Sequence, residues 1–236
     1  MQDIRQIILN ETLKNPKYKT IIIDPGTTKI GNKIIYGISD LPNDYYKAIL
    51  GNDRTVYVFN GRRHRAEIDP KTGLTKWAVK KYDSILKCYS FEWWINGAPK
   101  RIDKHPNGVS YPNIEYENGK KMWVNNKSDL DRDEKDPVTG ASLPAYTTKE
   151  AYIAFCNGFG YHRVDGPAIT FDPILYKKRR NHEYDNQADE YYLDNNQMTK
   201  EEWEKDPRVQ RELGLKVVED PKTSDDDFLR GFGKIL

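Results

Sequence analysis

The stretch YIAFCNGFGYHRVDGPAITF, residues 152–171, decides the fold. Tyr152, Ala154 and Cys156 alternate with Ile153 and Phe155, a largely apolar run of strand-forming composition. Asn157-Gly158 follows and predicts a type I′ hairpin turn, because both residues tolerate the positive φ that such a turn demands. Asp165-Gly166-Pro167 marks a second turn, after which Ala168, Ile169 and Phe171 resume an extended pattern. The unit is therefore an antiparallel hairpin with a third strand returning beside it.

Working outward, the same grammar recurs. TVYVFNGRRHRAEID carries Asn60-Gly61, His64-Arg65, Glu67 and Asp69; FEWWINGAPKRIDKHPNG carries Asn96-Gly97, Arg101 and Asp103, with Lys100 where the first copy has histidine. A third copy, YENGKKMWVNNKSDLDR, offers Asn118-Gly119 and Asn125-Asn126 without His-Arg. The fourth is the opening stretch, with Phe159 or Gly160 as a one-residue insertion before His162-Arg163. A fifth hairpin starts at EYYLDNN, residues 190–196. Asn60, Asn96, Asn125, Asn157 and Asn195 are separated by 36, 29, 32 and 38 residues. That period suits one supersecondary unit per repeat, stacked so that neighbours share a core. Its raggedness predicts inserted loops, above all the polar segment 129–144. The expected fold is mainly β with short flanking helices (α+β), an irregular array of antiparallel β-hairpin repeats. It divides into an N-terminal helix and hairpin cap over 1–53, a repeat body over 54–198, a helical cap over 199–218, and a linker with an apolar tail over 219–236.

In the cap, Ile4, Ile7 and Ile8 predict a short amphipathic helix over 3–14, stopped by Asn15-Pro16. Residues 20–24 read as a buried strand, turned by Pro25-Gly26 and returning antiparallel over 29–36; residues 43–50 read as a short helix closed by Gly51-Asn52. At the other end Thr199 and Glu202 form a capping box with Trp203 on the buried side. Asp206-Pro207 restarts a second helix, and Gly214 ends it.

Composition limits the function classes. The 236 residues include 16 Tyr, 7 Phe and 5 Trp, enough aromatic surface for a real core, while Lys+Arg and Asp+Glu balance to a net charge of +2. Such balance announces no broad nucleic-acid or membrane field. No run of eighteen apolar residues predicts a membrane span, and the first residues lack a signal peptide's apolar block, so a cytosol-like compartment is expected. Cys88 and Cys156 lack metal-ligand spacing and read as reduced thiols.

The pattern of an aromatic residue, NG, HR and DGPA resembles a divergent group of MORN-like hairpin repeats found in proteins of large tailed phages and giant viruses. It rests on Asn60-Gly61 with His64-Arg65, on Trp94-Ile95-Asn96-Gly97 with Arg101 and Asp103, and on Asn157-Gly158 with His162 to Ala168. The resemblance covers roughly residues 55–205, including the closing hairpin and Glu-rich helix. It implies β-hairpin architecture, phage or viral origin, and hence the host cytoplasm during infection or the virion as location. It implies no enzymatic activity. DPGTT, residues 24–28, separately resembles the phosphate-binding turn of actin and sugar-kinase ATPases, but no two large α/β lobes follow it, and a plain hairpin turn accounts for it.

The string His-Arg-x-Asp invites a catalytic reading, since histidine titrates near neutrality and aspartate could orient it. A motif repeated along an array does not converge on one point, however, so the turn residues and Asn60, Gly61, His64, Arg65, Asn96, Gly97, Arg101, Asp103, Asn157, Gly158, His162, Arg163, Asp165, Gly166 and Pro167 are expected to be structural. No catalytic residue, metal or cofactor is expected; the four histidines show no ligand spacing. Partner contacts are expected from the basic cluster Lys177, Lys178, Arg179 and Arg180 and from the tail residues Phe228, Leu229, Phe232, Ile235 and Leu236. The expected partner is a protein, an assembly subunit or a host factor, within an oligomer or hetero-complex. The expected role is a non-enzymatic virion or assembly component; the alternatives are, first, a cytoplasmic effector that binds and inhibits a host or defence protein and, last, a nucleotide- or nucleic-acid-binding enzyme using DPGTT or the basic cluster.

Overall fold

Short strands rich in β-branched and aromatic residues, separated by Asn-Gly and Asp-Pro turns, build a mainly β chain. The computed structural model describes residues 17–51, 53–148, 152–171 and 189–215. The predicted helix over 3–14, the basic cluster 177–180 and the tail 228–236 lie outside the described residues.

Eleven strands form one sheet, mostly antiparallel. Its order begins Lys19–Ile23, Tyr45–Leu50, Arg54–Phe59, Val79–Asp83, Cys88–Glu92 and ends at Tyr152–Ala154 and Ile169–Phe171; Arg62–Arg63 folds back on Arg54–Phe59. Because strand side chains alternate between faces, the register draws one row across the sheet: Ala48, Val56, Val79, Glu92, Ile114, Met122, Tyr146, Ala154 and Ile169 are successive partners. At one end the residues of this face pack with Ile35 and Leu41: Ile23, Ile35, Leu41, Tyr46, Ala48, Val56, Val58 and Val79 form the largest core cluster among the described residues.

Three local expectations need correction. Residues 43–50 are not a helix: Tyr45–Leu50 is a strand with Tyr46 and Ala48 buried. Its period of two places alternate residues inward, and its neighbour Lys19–Ile23 runs parallel to it, a pairing fixed by distant chain. The chain after Pro25-Gly26 does not return against Lys19–Ile23; Lys29–Ile30 and Lys33–Ile34 make a separate small hairpin. Asn157-Gly158 is not a type I′ turn. Type I′ geometry, with positive φ at both central residues, occurs at Asn60-Gly61, Asn96-Gly97 and Asp194-Asn195. At 157–160 the positive φ falls on Gly158 and Gly160, and Asn157 N–H donates to Gly160 O, with Cys156 bridged to Tyr161.

Gly158 remains demanding for that altered reason. Its φ is +80°, and a Cβ there would lie 3.1 Å from Asn125 Nδ2 and from Asp131 Oδ2. Gly158→Val is therefore expected to cost ~1–3 kcal/mol of backbone strain, read as a melting temperature several degrees lower. A melt superimposable on wild type would refute this turn geometry.

At the C-terminal end the capping box forms as the sequence indicates: Thr199 accepts from Glu202 N–H, and Glu202 accepts from Thr199 N–H. The helix Lys200–Lys205 buries Trp203, and Pro207–Glu212 follows with Pro at its first turn and buries Val209. Leu193, Trp203 and Val209 close one end of the array.

Candidate functional site

The residues singled out by the repeats occupy equivalent places in four successive units. Each unit begins with an aromatic ring: Tyr57, Trp93, Trp123 and Phe155. Its carbonyl accepts an N–H from, respectively, His64, Lys100, Asp131 and His162. The next residue is always arginine, its guanidinium carbon over that ring. Centroid distances are 3.7 Å for Arg65 on Tyr57, 3.9 Å for Arg101 on Trp93, 4.0 Å for Arg132 on Trp123 and 3.8 Å for Arg163 on Phe155. Two residues on, an acid takes the Nε–H: Glu67, Asp103, Glu134 and Asp165. One Nη of each arginine donates to a main-chain carbonyl at the end of the unit, Trp77, Pro112, Pro144 and Pro167.

Arg132 and Glu134 were not among the expected site residues, because residues 129–144 read as an inserted loop. That reading is corrected here: the segment is the third repeat itself. The signal was present, since Arg65-x-Glu67-x-Asp69-Pro70-x-Thr72-Gly73 and Arg132-x-Glu134-x-Asp136-Pro137-x-Thr139-Gly140 match position for position. Three units carry a bridged loop between acid and closing carbonyl, at Ile68–Thr75, Lys104–Ser110 and Lys135–Ser142. The fourth, DGPA, is the short form.

The units are cross-linked in both directions. Asp103 accepts from the N–H and hydroxyl of Thr75 in the preceding unit, Glu134 likewise from Ser110, and Asp165 from Ser142 N–H. Histidine reaches the other way: His64 Nδ1 accepts from Asn96 N–H in the next turn, and His162 Nδ1 from Asp194 N–H. Within one unit the imidazole and the carboxylate thus engage neighbours on opposite sides. The string His162-Arg163-Val164-Asp165 is a pair of connectors, and its members do not converge on a shared atom.

Electrostatics follow the bonding. Burial pushes the Glu134 and Asp165 carboxyls up, but the Ser110 and Ser142 hydrogen bonds and the adjoining Arg132 and Arg163 outweigh it, leaving both below their ordinary 4.5 and 3.8. A folded-state value below the unfolded one means that protons bind the unfolded chain more readily. The stability these groups contribute is full above the unfolded values and is lost as pH falls through the folded ones. Melting temperature should hold from pH 7 to about 5 and drop below about 4. Glu134→Gln should melt lower than wild type at neutral pH and show a shallower acid slope; parallel slopes would contradict the coupling.

Among the described residues no cluster of His, Cys, Asp and Glu could hold a metal ion. No helix there is long and apolar enough to cross a membrane. Cys88 is half-buried and Cys156 buried, both free; burial first and Asp131 second push the Cys156 thiol up to about 11. In DPGTT the donors close on the turn itself: Thr27 and Thr28 N–H both donate to Asp24 O, and Thr28 Oγ1 accepts from Asp24 N–H and donates to Ile22 O. No family model matches the chain, nor does any curated protein or solved structure.

Proposed function

We propose that the chain is a non-catalytic protein-interaction module, a divergent MORN-like repeat array acting as a structural or assembly component of a phage particle. The observation that carries this reading is the use made of the repeated polar residues. Each arginine of the motif is neutralised by its own acid and lies over its own ring, and three of the four acids, Asp103, Glu134 and Asp165, also bind the preceding unit. Groups so engaged hold units in register and are poor general acids or bases, since a catalytic group needs a free atom aimed at a substrate. What differs between units is the turn tips, where Ile85, Val138 and Phe159 are 89%, 87% and 86% exposed. Single apolar tips at spaced positions on a stiff frame suit anchoring into pockets of another protein.

The test is mass spectrometry of purified particles and of tagged chain recovered from infected cells. The expected result is stoichiometric presence in particles, reduced by Phe159→Ser with Val138→Ser while the melting temperature holds. Recovery with a host protein alone would shift the role to an effector. Turnover of a nucleotide or phosphodiester by pure protein, lost in His162→Gln with Asp165→Asn, would overturn the reading.

A further inference from the structure

We propose that the cleft between the first and second units binds a sugar residue, with the apolar face of its ring on Trp77 and its hydroxyls on Asp69, Lys76 and Tyr57. The cleft holds about 380 Å³, within the range of small-ligand sites, and those four side chains line it. Comparison with the later units carries the argument. The arginine ladder asks of position 77 only a carbonyl: Trp77 O accepts from Arg65 Nη1, as Pro112, Pro144 and Pro167 accept from their arginines. Proline at three of the four places means that holding the array needs neither an N–H nor an aromatic ring there. Lys76 is equally free of the repeat, since Tyr111, Leu143 and Gly166 stand at its place. The first unit thus departs from the pattern at two residues that line the cleft.

The ring surface is available. Trp77 is half-buried, and no neighbour lies flat on it at contact distance. Tyr57 meets it edge-on at 5.5 Å, Phe91 is tilted at 5.9 Å, and the Arg65 guanidinium is 5.4 Å from its centroid, against 3.7 Å from that of Tyr57. Trp93, 7% exposed and covered by Arg101, is floor rather than platform. Thr72 in the same lining is exposed, so the cleft opens to solvent. The wall formed by residues 69–76 is stiff. Asp69 N–H donates to Leu74 O, Gly73 N–H to Asp69 O and Lys71 N–H to Asp69 Oδ1, while Thr75 is gripped by Asp103 and Trp93 Nε1. A wall fixed before the ligand arrives keeps the ordering cost of binding low.

Polar groups of both kinds remain for hydroxyls. Among the described residues Lys76 Nζ and the Tyr57 hydroxyl make no hydrogen bond or ion pair, and the Asp69 carboxylate takes only the Lys71 N–H. An ammonium donates, a carboxylate accepts and a phenol does both, the set a polyol needs. The arginines of the lining are already spent, Arg65 on Glu67 and Trp77 O, Arg101 on Asp103, Glu115 and Pro112 O. Lys76 and Asp69 oppose each other. On the same sheet face Lys47 stands across from Tyr57 and Lys80 across from Phe91, with Glu115, the second acid on Arg101, on the far side of Phe91. No sign dominates, which fits a sugar, neutral or carrying one carboxylate, better than a multiply charged ion.

The experiment applies the full chain to a printed array of neutral hexoses, N-acetylhexosamines, deoxyhexoses and uronic acids. The free sugar of the best-bound class is then titrated against the indole N–H resonances. The expected result is binding of at least one class, with the Trp77 signal moving saturably and those of Trp123 and Trp203 still. Trp77→Pro, which installs the residue of the later units, should weaken that sugar about tenfold or more and leave the melting temperature within about 2 °C of wild type. Stronger binding of a uronic acid than of its neutral parent, lost in Lys76→Leu, would identify a carboxylated sugar; equal binding would identify a neutral one. The indole titration needs no variant, so it decides even if Trp77→Pro folds poorly. Binding of no class on the array, a Trp77 signal that stays still, or a Trp77 signal moved by decaproline and by no sugar would overturn the site.

Discussion

Arg101→Ala should melt about 10 °C below wild type. The side chain is 5% exposed and its partner Asp103 8%. The guanidinium donates to Asp103, to Pro112 O and to Glu115, and lies between Trp93 and Tyr111 at 3.9 Å and 4.5 Å. Removing one partner of a buried ion pair typically costs ~3–5 kcal/mol, because the other charge stays behind in a place that cannot hydrate it. For a chain of this size each kcal/mol is worth about 2–4 °C. The loss is not confined to one unit, since Asp103 also holds Thr75 of the unit before. Arg101→Lys keeps the charge but cannot make the planar fork or the ring stack and should recover less than half of the difference. Thermal and urea melts of the two variants decide the matter. An alanine variant within 2 °C of wild type would mean that the ladder of arginines contributes little to the array.

The paired strands Tyr152–Ala154 and Ile169–Phe171 were legible because alternation is a local signal, whereas the type of turn at Asn157-Gly158 was not, and the expected middle strand is reduced to the bridge of Cys156 with Tyr161. The capping box at Thr199 was legible for the same reason. Anchoring the repeat on His-Arg misled, however. The histidine place needs only to contact the next turn, and Lys100 and Asp131 stand there in the second and third units, while arginine followed two residues later by an acid recurs in all four. Once the spacing is read from arginine, residues 129–144 cease to look like an insertion. The strand Tyr45–Leu50 was hidden by a different cause. Its parallel pairing with Lys19–Ile23 is settled across the chain, and six residues of mixed polarity carry little periodicity of their own.

Gly160→Ala should loosen the C-terminal end of the array more than any other single methyl addition at a glycine. Its φ is +140°, a region open in practice only to glycine, and a Cβ would sit 2.5 Å from Asn195 Cγ and Oδ1 and 2.6 Å from Asn195 Cβ. Asn195 cannot step aside easily. Its own φ is +65°, its N–H donates to Tyr161 O at 2.8 Å, and neighbouring Asp194 is held by His162 Nδ1 and Asn157 Nδ2. Strain of ~1–3 kcal/mol and overpacking of similar size together suggest a loss of about 4 kcal/mol, concentrated where the last turn docks on the fourth unit. Behind that turn stand Leu193, Trp203 and Val209, so the closing cluster should open first. Hydrogen exchange would show it as faster exchange of amides over 191–212, while the strands Arg54–Phe59 and Val79–Asp83 keep their protection. Adding Asn195→Gly removes the collision but leaves the φ demand at position 160. The double variant should therefore recover part of the loss, a coupling that only direct contact between the two turns produces. Additive effects of the two substitutions would mean that the last hairpin does not dock on Gly160.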